Sequence, residues 1–355
     1  MNLLIQPSVT KKQSKRWLLA AGYAAAVLGT VTVILLFIIL GLTTGDMQLT
    51  IKEVLSALVG VPAQPEHDLV LFQFRLPRIV LGALIGIVLG MSGAAVQSLT
   101  RNPLADPGIL GIHAGAGMFV VLFMFVFQEL LPATGTAAMM LMPIFGIVGG
   151  LLAAMMIFVL ARKGSRMEPQ RLVLVGIAVT TGFSAVTLYI SLKMNPHDFE
   201  RAASWLSGNL NSANWLFIGS MLPWLLLLIP YLLCKTHLLD LLRLGDTSLL
   251  GLGVFLQRER KILLFASVGL VAAGVAVAGS VGFVGLIAPH MAMRLTGLSH
   301  RRSLPMSGLL GAALVLVSDF IGRTVFSPAQ LPVGVVLSIV GVPYFVWLLW
   351  SQARR

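Results

Sequence analysis

Residues 76–98 read LPRIVLGALIGIVLGMSGAAVQS, twenty-three residues whose only charge is Arg78, at the third position. A helix over this stretch is about 35 Å long at the usual rise per residue, enough to cross a hydrocarbon layer of roughly 30 Å. It is apolar on every side, so it does not read as the surface helix of a soluble domain, which keeps one polar face. Gly82, Gly86 and Gly90 recur at every fourth position, with Gly93 close by. In lipid, where helices gain little from hiding apolar surface, a stripe of small residues lets two backbones approach closely. The stretch therefore predicts a membrane-spanning helix with a flat seam for a neighbour.

Working outward, the same reading applies to 17–41, 108–128, 139–161, 172–192, 215–234, 262–281, 304–326 and 333–350. Gly111 with Gly115 and Gly146 with Gly150 repeat the four-residue spacing. Residues 282–296 are shorter and broken by Gly285 and Pro289, and count as a tenth, irregular span. The expected fold is an all-α polytopic bundle of about ten transmembrane helices, in one domain over 17–350.

Composition agrees. The chain has 355 residues, 57% hydrophobic and 11% charged, with a mean hydropathy of +0.93. Soluble domains carry about a quarter charged residues. One cysteine, Cys234, excludes an internal disulfide framework. With ten spans, nineteen of the 25 basic residues fall in gaps on one side of the membrane and six on the other. The positive-inside bias then puts both termini in the cytoplasm, the tails being 1–16 and 351–355. The net charge of +12 is a topology signal, and nucleic acid is not an expected partner.

The chain contains no G-x-x-x-x-G-K-[ST] phosphate loop, no H-E-x-x-H and no C-x-x-C. No catalytic residue, metal site or cofactor is expected. Asp319 is the one ionisable residue deep in a span, and Arg323 follows at the spacing and in the order of a helical ion pair. The plain reading is mutual neutralisation; the sharper one is an ion-coupled carrier working through Asp319.

Three connections look purposeful. The outer piece 42–75 holds an amphipathic stretch (Leu49, Ile51, Val54, Leu55, Leu58) and ends in Phe74-Arg75-Leu76-Pro77-Arg78. Arg75 and Arg78 run against the positive-inside trend. They read either as lipid anchors or, with Arg323, as an outward cationic patch for an acidic partner. On the inside, Arg101-Asn102-Pro103-Leu104-Ala105-Asp106-Pro107-Gly108 makes a stiff corner. The inner segment 235–261 reads as two short helices. Leu238, Leu239, Leu241, Leu242 and Leu244 lie on the first, and Gly245 breaks it. Asp246 or Thr247 caps the second. Their leucines need cover from the membrane or from a cytoplasmic partner.

These stretches together resemble the FecCD family, the ten-helix permeases of bacterial ABC importers for iron–siderophores, haem and vitamin B12. The resemblance rests on FRLPRIVLGALIGIVLGMSGAAVQSLTRNPLADPGILGIHAGAG (74–117), WLSGNLNSANW (205–215), LGDTSLLGLGV (244–254), AVAGSVGFVGLIAPHMAMRLTGLSHRR (276–302) and LPVGVVLSIVGVPYFVWLL (331–349). It implies a permease in the bacterial cytoplasmic membrane that pairs with a second permease, identical or paralogous. Two cytoplasmic ATP-binding subunits and an extracytoplasmic substrate-binding protein complete the assembly. The implied cargo is a ferric siderophore, with haem or cobalamin as the alternative. The resemblance places ATPase coupling at Leu244, Gly245, Asp246, Leu250, Leu252 and Gly253, and binding-protein docking at Arg75, Arg78 and Arg323. It places an inner gate at Asn102, Pro103 and Leu104, a second gate at Pro169 and Gln170, and the passage mouth at Trp205, Ser207 and Gly208.

Overall fold

The apolar runs fold as the helices their length dictates. The structure, a computed structural model, describes residues 9–45, 47–61, 64–127, 136–163, 166–167, 169–243, 256–327 and 329–353. In chain order the helices are α1 (Val9–Thr43), α2 (Ile51–Leu58), α3 (Pro65–Leu69), α4 (Leu76–Thr100), α5 (Ile112–Phe127), α6 (Thr136–Leu160) and α7 (Pro169–Ser191). They continue with α8 (Pro196–Leu206), α9 (Trp215–Cys234), α10 (Thr236–Leu242), α11 (Leu256–Ala278), α12 (Val284–Thr296), α13 (His300–Thr324) and α14 (Val333–Ala353). A two-residue antiparallel ladder, Arg162–Lys163 against Arg166–Met167, closes the gap between α6 and α7.

Among the described residues, eight helices are long and apolar enough to cross a membrane. The other two expected spans are shorter. Helix α5 has 16 residues and α12 has 13, and neither reaches across a bilayer alone. Both are short for the same reason: irregular backbone folds into the bundle ahead of them. A 3₁₀ turn at Pro107–Leu110 precedes α5, and a non-helical stretch from Gly279 to Phe283 precedes α12. Such backbone survives at membrane depth only where protein encloses it.

Two boundaries differ from expectation. Helix α1 starts at Val9 and so includes the basic residues expected in a tail. On the outer side, 65–75 is helical rather than loop: α3 runs through a π-helical turn, Val70–Arg75, directly into α4. The wide turn takes up an extra residue, and Arg75 at its end is buried.

Helices α4, α11 and α13 form the buried centre, and α1 is peripheral with Leu28, Leu35 and Leu36 exposed. The glycine stripe of α4 lies on α13. A side chain at Gly90 would strike the Ser307 carbonyl, and one at Gly86 the Gly311 carbonyl. The seam read from the sequence is thus helix packing. Gly146 and Gly150 play the same part against Ala276 and Ala272 of α11.

Candidate functional site

The chemistry-bearing residues gather at three levels of the bundle. At the outer end, Pro77 in the first turn starts α4 and places Arg78 opposite the last turns of α13. Arg78 Nη2 lies 2.8 Å from Asp319 Oδ1, and Arg78 Nε donates to both carboxylate oxygens at 3.0 and 3.2 Å. Arg78 Nη1 also donates to Gln330 Oε1 at 3.2 Å. Arg323 Nε is 3.3 Å from Asp319 Oδ2, within ion-pair reach but without hydrogen-bond alignment. The expected Asp319–Arg323 pair exists, and Arg78 joins it. One carboxylate now faces two cations, so this three-residue cluster carries one net positive charge.

Arg75 does something else. It is only 6% exposed, and its guanidinium donates to the carbonyls of Leu42 and Met47. The residue expected on an outward patch is turned inward and holds the loop after α1. Burial of a guanidinium is tolerable because carbonyl acceptors meet its donors. Beside it, α2 is fixed by a capping box between Thr50 and Glu53, and it buries Val54 and Ala57 while exposing Ile51, Leu55 and Leu58. This matches the amphipathic reading of that stretch.

Midway, the tip of α8 meets two other breaks in helix. Asn195 caps α8 by accepting from the Asp198 N–H at 2.9 Å. The helix ends at Leu206, and Gly208 takes a left-handed φ of +75°, which favours glycine. The Gly208 carbonyl accepts from Gly334 N–H at 3.1 Å, and Asn209 N–H donates to Ala278 at 3.1 Å. Trp205, Ser207 and Gly208 are thereby brought against the 279–283 break and the start of α14. His113 Nδ1 lies 3.3 Å from Ser280 Oγ in the same region. Phe283, left-handed at φ +67°, starts α12 with its ring against Gly341. No sequence signal marked Phe283, because only a non-glycine in that backbone region is unusual.

At the inner end, Arg101 ends α4 in the left-handed region, φ +51°. Asn102 Oδ1 accepts from Leu104 N–H at 2.9 Å and its carbonyl accepts from Ala105 N–H at 3.1 Å. Asp106 Oδ1 accepts from Gly108 N–H at 3.2 Å. The corner is therefore self-braced, with Pro103 exposed and Leu104 half-buried. Pro169 and Gln170 open α7, and their side-chain surroundings lie outside the described residues.

Helix α10 corrects one expectation. Its leucines do not wait for a partner: Leu239 and Leu242 are fully buried, and Leu238 and Leu241 pack on the same core. Leu244, Gly245, Asp246, Leu250, Leu252 and Gly253 lie outside the described residues. Among the described residues, no three His, Cys, Asp or Glu side chains gather as a metal site.

The FecCD transport family model matches residues 33–351. The chain is 47% identical to the iron-uptake system permease protein FeuC of Bacillus subtilis, over 91% of this chain and 96% of that one. It is 43% identical to the iron(3+)-hydroxamate import system permease protein FhuG of the same organism, over 90% of this chain and 95% of that one. A solved inward-facing structure assigned to the metal-chelate type ABC transporters superposes with a TM-score of 0.78 at 28% identity, covering 91% of this chain and 98% of that chain. With a family match over most of its length and relatives this similar along nearly their whole chains, the protein belongs to the FecCD transport family.

Proposed function

We propose that this chain is the membrane permease subunit of an ABC importer that carries a ferric siderophore across the bacterial cytoplasmic membrane. The observation that carries the reading is the similarity, end to end, to permeases named for iron uptake, ferric hydroxamate and ferric citrate. The eight apolar helices fit a multi-pass membrane location. Both termini are cytoplasmic in this proposal, as the distribution of basic residues supports.

No covalent chemistry occurs in the chain itself. A second permease, identical or paralogous, completes the passage, and two cytoplasmic ATP-binding subunits engage the segment containing Leu244, Gly245, Asp246, Leu250, Leu252 and Gly253. Hydrolysis by those subunits swings the bundle between its two openings. The extracytoplasmic binding protein docks over Arg78 and Arg323, whose positive excess suits acidic residues; Arg75 shapes the loop beneath. Trp205, Ser207 and Gly208 line the mouth. Asn102, Pro103 and Leu104 form the inner gate, with Pro169 and Gln170 as a second constriction. Both oxygens of Asp319 face guanidinium groups. A carboxylate so committed is poorly placed to bind a coupling ion, which disfavours a stand-alone carrier.

The test is uptake of labelled cargo, iron-55 in the iron complexes and haem and cobalt-57 in cobalamin, into vesicles holding the purified complex with its binding protein. Ferric hydroxamate, ferric catecholate, ferric citrate, haem and cobalamin are offered in turn. Import of a ferric siderophore that requires internal ATP is the expected result. Uphill import by this chain alone, or import only of cobalamin, overturns the proposal.

A further inference from the structure

Asp240 in α10, His300 at the start of α13 and Ser98 near the inner end of α4 form one hydrogen-bonded chain. His300 Nδ1 lies 2.6 Å from Asp240 Oδ1, and the same oxygen accepts the His300 backbone N–H at 2.8 Å. On the far side of the ring, Nε2 is 2.5 Å from Ser98 Oγ. Ser299 Oγ donates to the second Asp240 oxygen at 3.3 Å. His300 is 1% exposed and Ser98 4%.

The residue types are those of a nucleophilic triad, but the site is not built for attack. Ser98 Oγ also lies 3.0 Å from the Ala94 carbonyl one turn back, and a hydroxyl has one proton to give. The helices seal both Ser98 and His300, so no acyl group can approach within bonding distance of Oγ. The arrangement joins elements instead.

Two further ties start from the same short helix. Arg101 Nε, at the end of α4, donates to the Leu242 carbonyl at 2.8 Å. Arg243 Nη1 donates to the Leu298 carbonyl at 2.5 Å, and Nη2 lies 3.1 Å from Met293 Sδ. Helix α10 is thus pinned on one side to the last turn of α4 and on the other to the turn between α12 and α13. The core packing of Leu239 and Leu242 removes its remaining freedom.

We propose that Asp240, His300, Ser98 and Arg101 form the relay that carries movement of the ATPase-facing segment to the inner gate. The residue after Arg243 is Leu244, the first of the proposed coupling residues, and the residue after Arg101 is Asn102, the first of the gate. A displacement of α10 that left α13 and α4 behind would take the Asp240 carboxylate away from the buried His300 ring and break the Arg101–Leu242 bond, which is costlier than moving together. The stiff path is therefore from α10 into the end of α4 and so into the Asn102–Pro103–Leu104 corner. These four are positioning residues. Their role rests on the permease reading above.

The test measures iron imported per ATP hydrolysed by the reconstituted complex, using whichever of the ferric hydroxamate, catecholate or citrate the wild-type complex imports. Ser98→Ala removes the link from the ring to α4 along with the bond to the Ala94 carbonyl within that helix, Asp240→Asn weakens the link to α10, and Arg101→Met removes the second tie. Each variant is expected to assemble and hydrolyse ATP within about twofold of wild type, while the import-to-hydrolysis ratio falls at least about fivefold, the lower range of coupling between sites. An unchanged ratio overturns the relay. So does a proportional fall in recovery, hydrolysis and import, which is what a merely structural network produces. Failure of the wild-type complex itself to couple import to ATP would instead refute the permease reading, so the two failures are distinct.

Discussion

Arg78 and Asp319, separated by 241 positions in sequence, meet with the Arg78 Nε and Nη2 atoms on one carboxylate at 2.8–3.2 Å. Arg323 approaches the same group from one helical turn away. The cluster ties the outer end of α4 to that of α13, the two helices whose glycine seam forms the centre of the bundle.

Removing the acid should therefore hurt more than removing one base. Asp319→Ala leaves two guanidiniums, 13% and 14% exposed, without their anion. The expected loss is about 3 kcal/mol of stability, in the range measured when one partner of a buried pair is deleted. Thermal unfolding of the purified chain in detergent reads it directly. Combining Asp319→Leu with Arg78→Met and Arg323→Met should recover part of the loss, and a strictly additive result would contradict a shared network.

The proposed docking role separates Arg323 from Arg75. Arg323→Gln should weaken capture of the binding protein, and the effect should shrink as salt is raised, because a rim charge acts through screened attraction. Arg75→Ala removes the bonds to the Leu42 and Met47 carbonyls. Its expected signature is faster proteolysis near residues 42–47, with weaker capture at every salt concentration. A salt-dependent loss for Arg75→Ala would place that guanidinium at the surface and reverse the assignment.

Two glycines give a contrast in packing. A side chain at Gly90 meets the Ser307 carbonyl, whereas nothing lies within 4 Å of the position a side chain at Gly182 would take. Gly90→Val should cost about 2 kcal/mol or prevent folding, as overpacking does. Gly182→Ala in α7 should be neutral or slightly stabilising, since alanine is the better helix former. Membrane yield and thermal midpoint distinguish them.

The ion pair Lys235–Glu259, at 2.9 Å, is more exposed, 33% and 25%. The hydrogen bond that Lys235 Nζ donates to Glu259 holds the lysine proton more tightly than in a free lysine, yet the pair should contribute little. Lys235→Met is expected to change stability by less than about 1 kcal/mol, as for most solvated pairs. A larger drop in the thermal midpoint would mean that α9 and α11 depend on it.

Spans, seams and the stiff corner 101–108 were legible because each lies within a local pattern. The run 76–98 shows its length and its glycine spacing without reference to anything else, and the corner 101–108 shows its prolines. Helix α10 was legible as an amphipathic helix, but not what covers its leucines, because periodicity gives a buried face without saying against what. The Arg75 reading failed for a related reason. A cation beside a span end looks exposed until its guanidinium is seen to meet the carbonyls of Leu42 and Met47.

The sequence by itself determined that this chain crosses a membrane many times, which helices carry small-residue seams and that it has no phosphate loop of its own. These follow from residue type and spacing along one helix. Only the tertiary structure decided that Asp319 serves two arginines, that Arg75 faces inward, and that Ser98, Asp240 and His300 touch. Apart from Arg323 with Asp319, those contacts join residues 28 to 241 positions apart, and no local pattern encodes which faces of distant elements will meet; tertiary packing sets that.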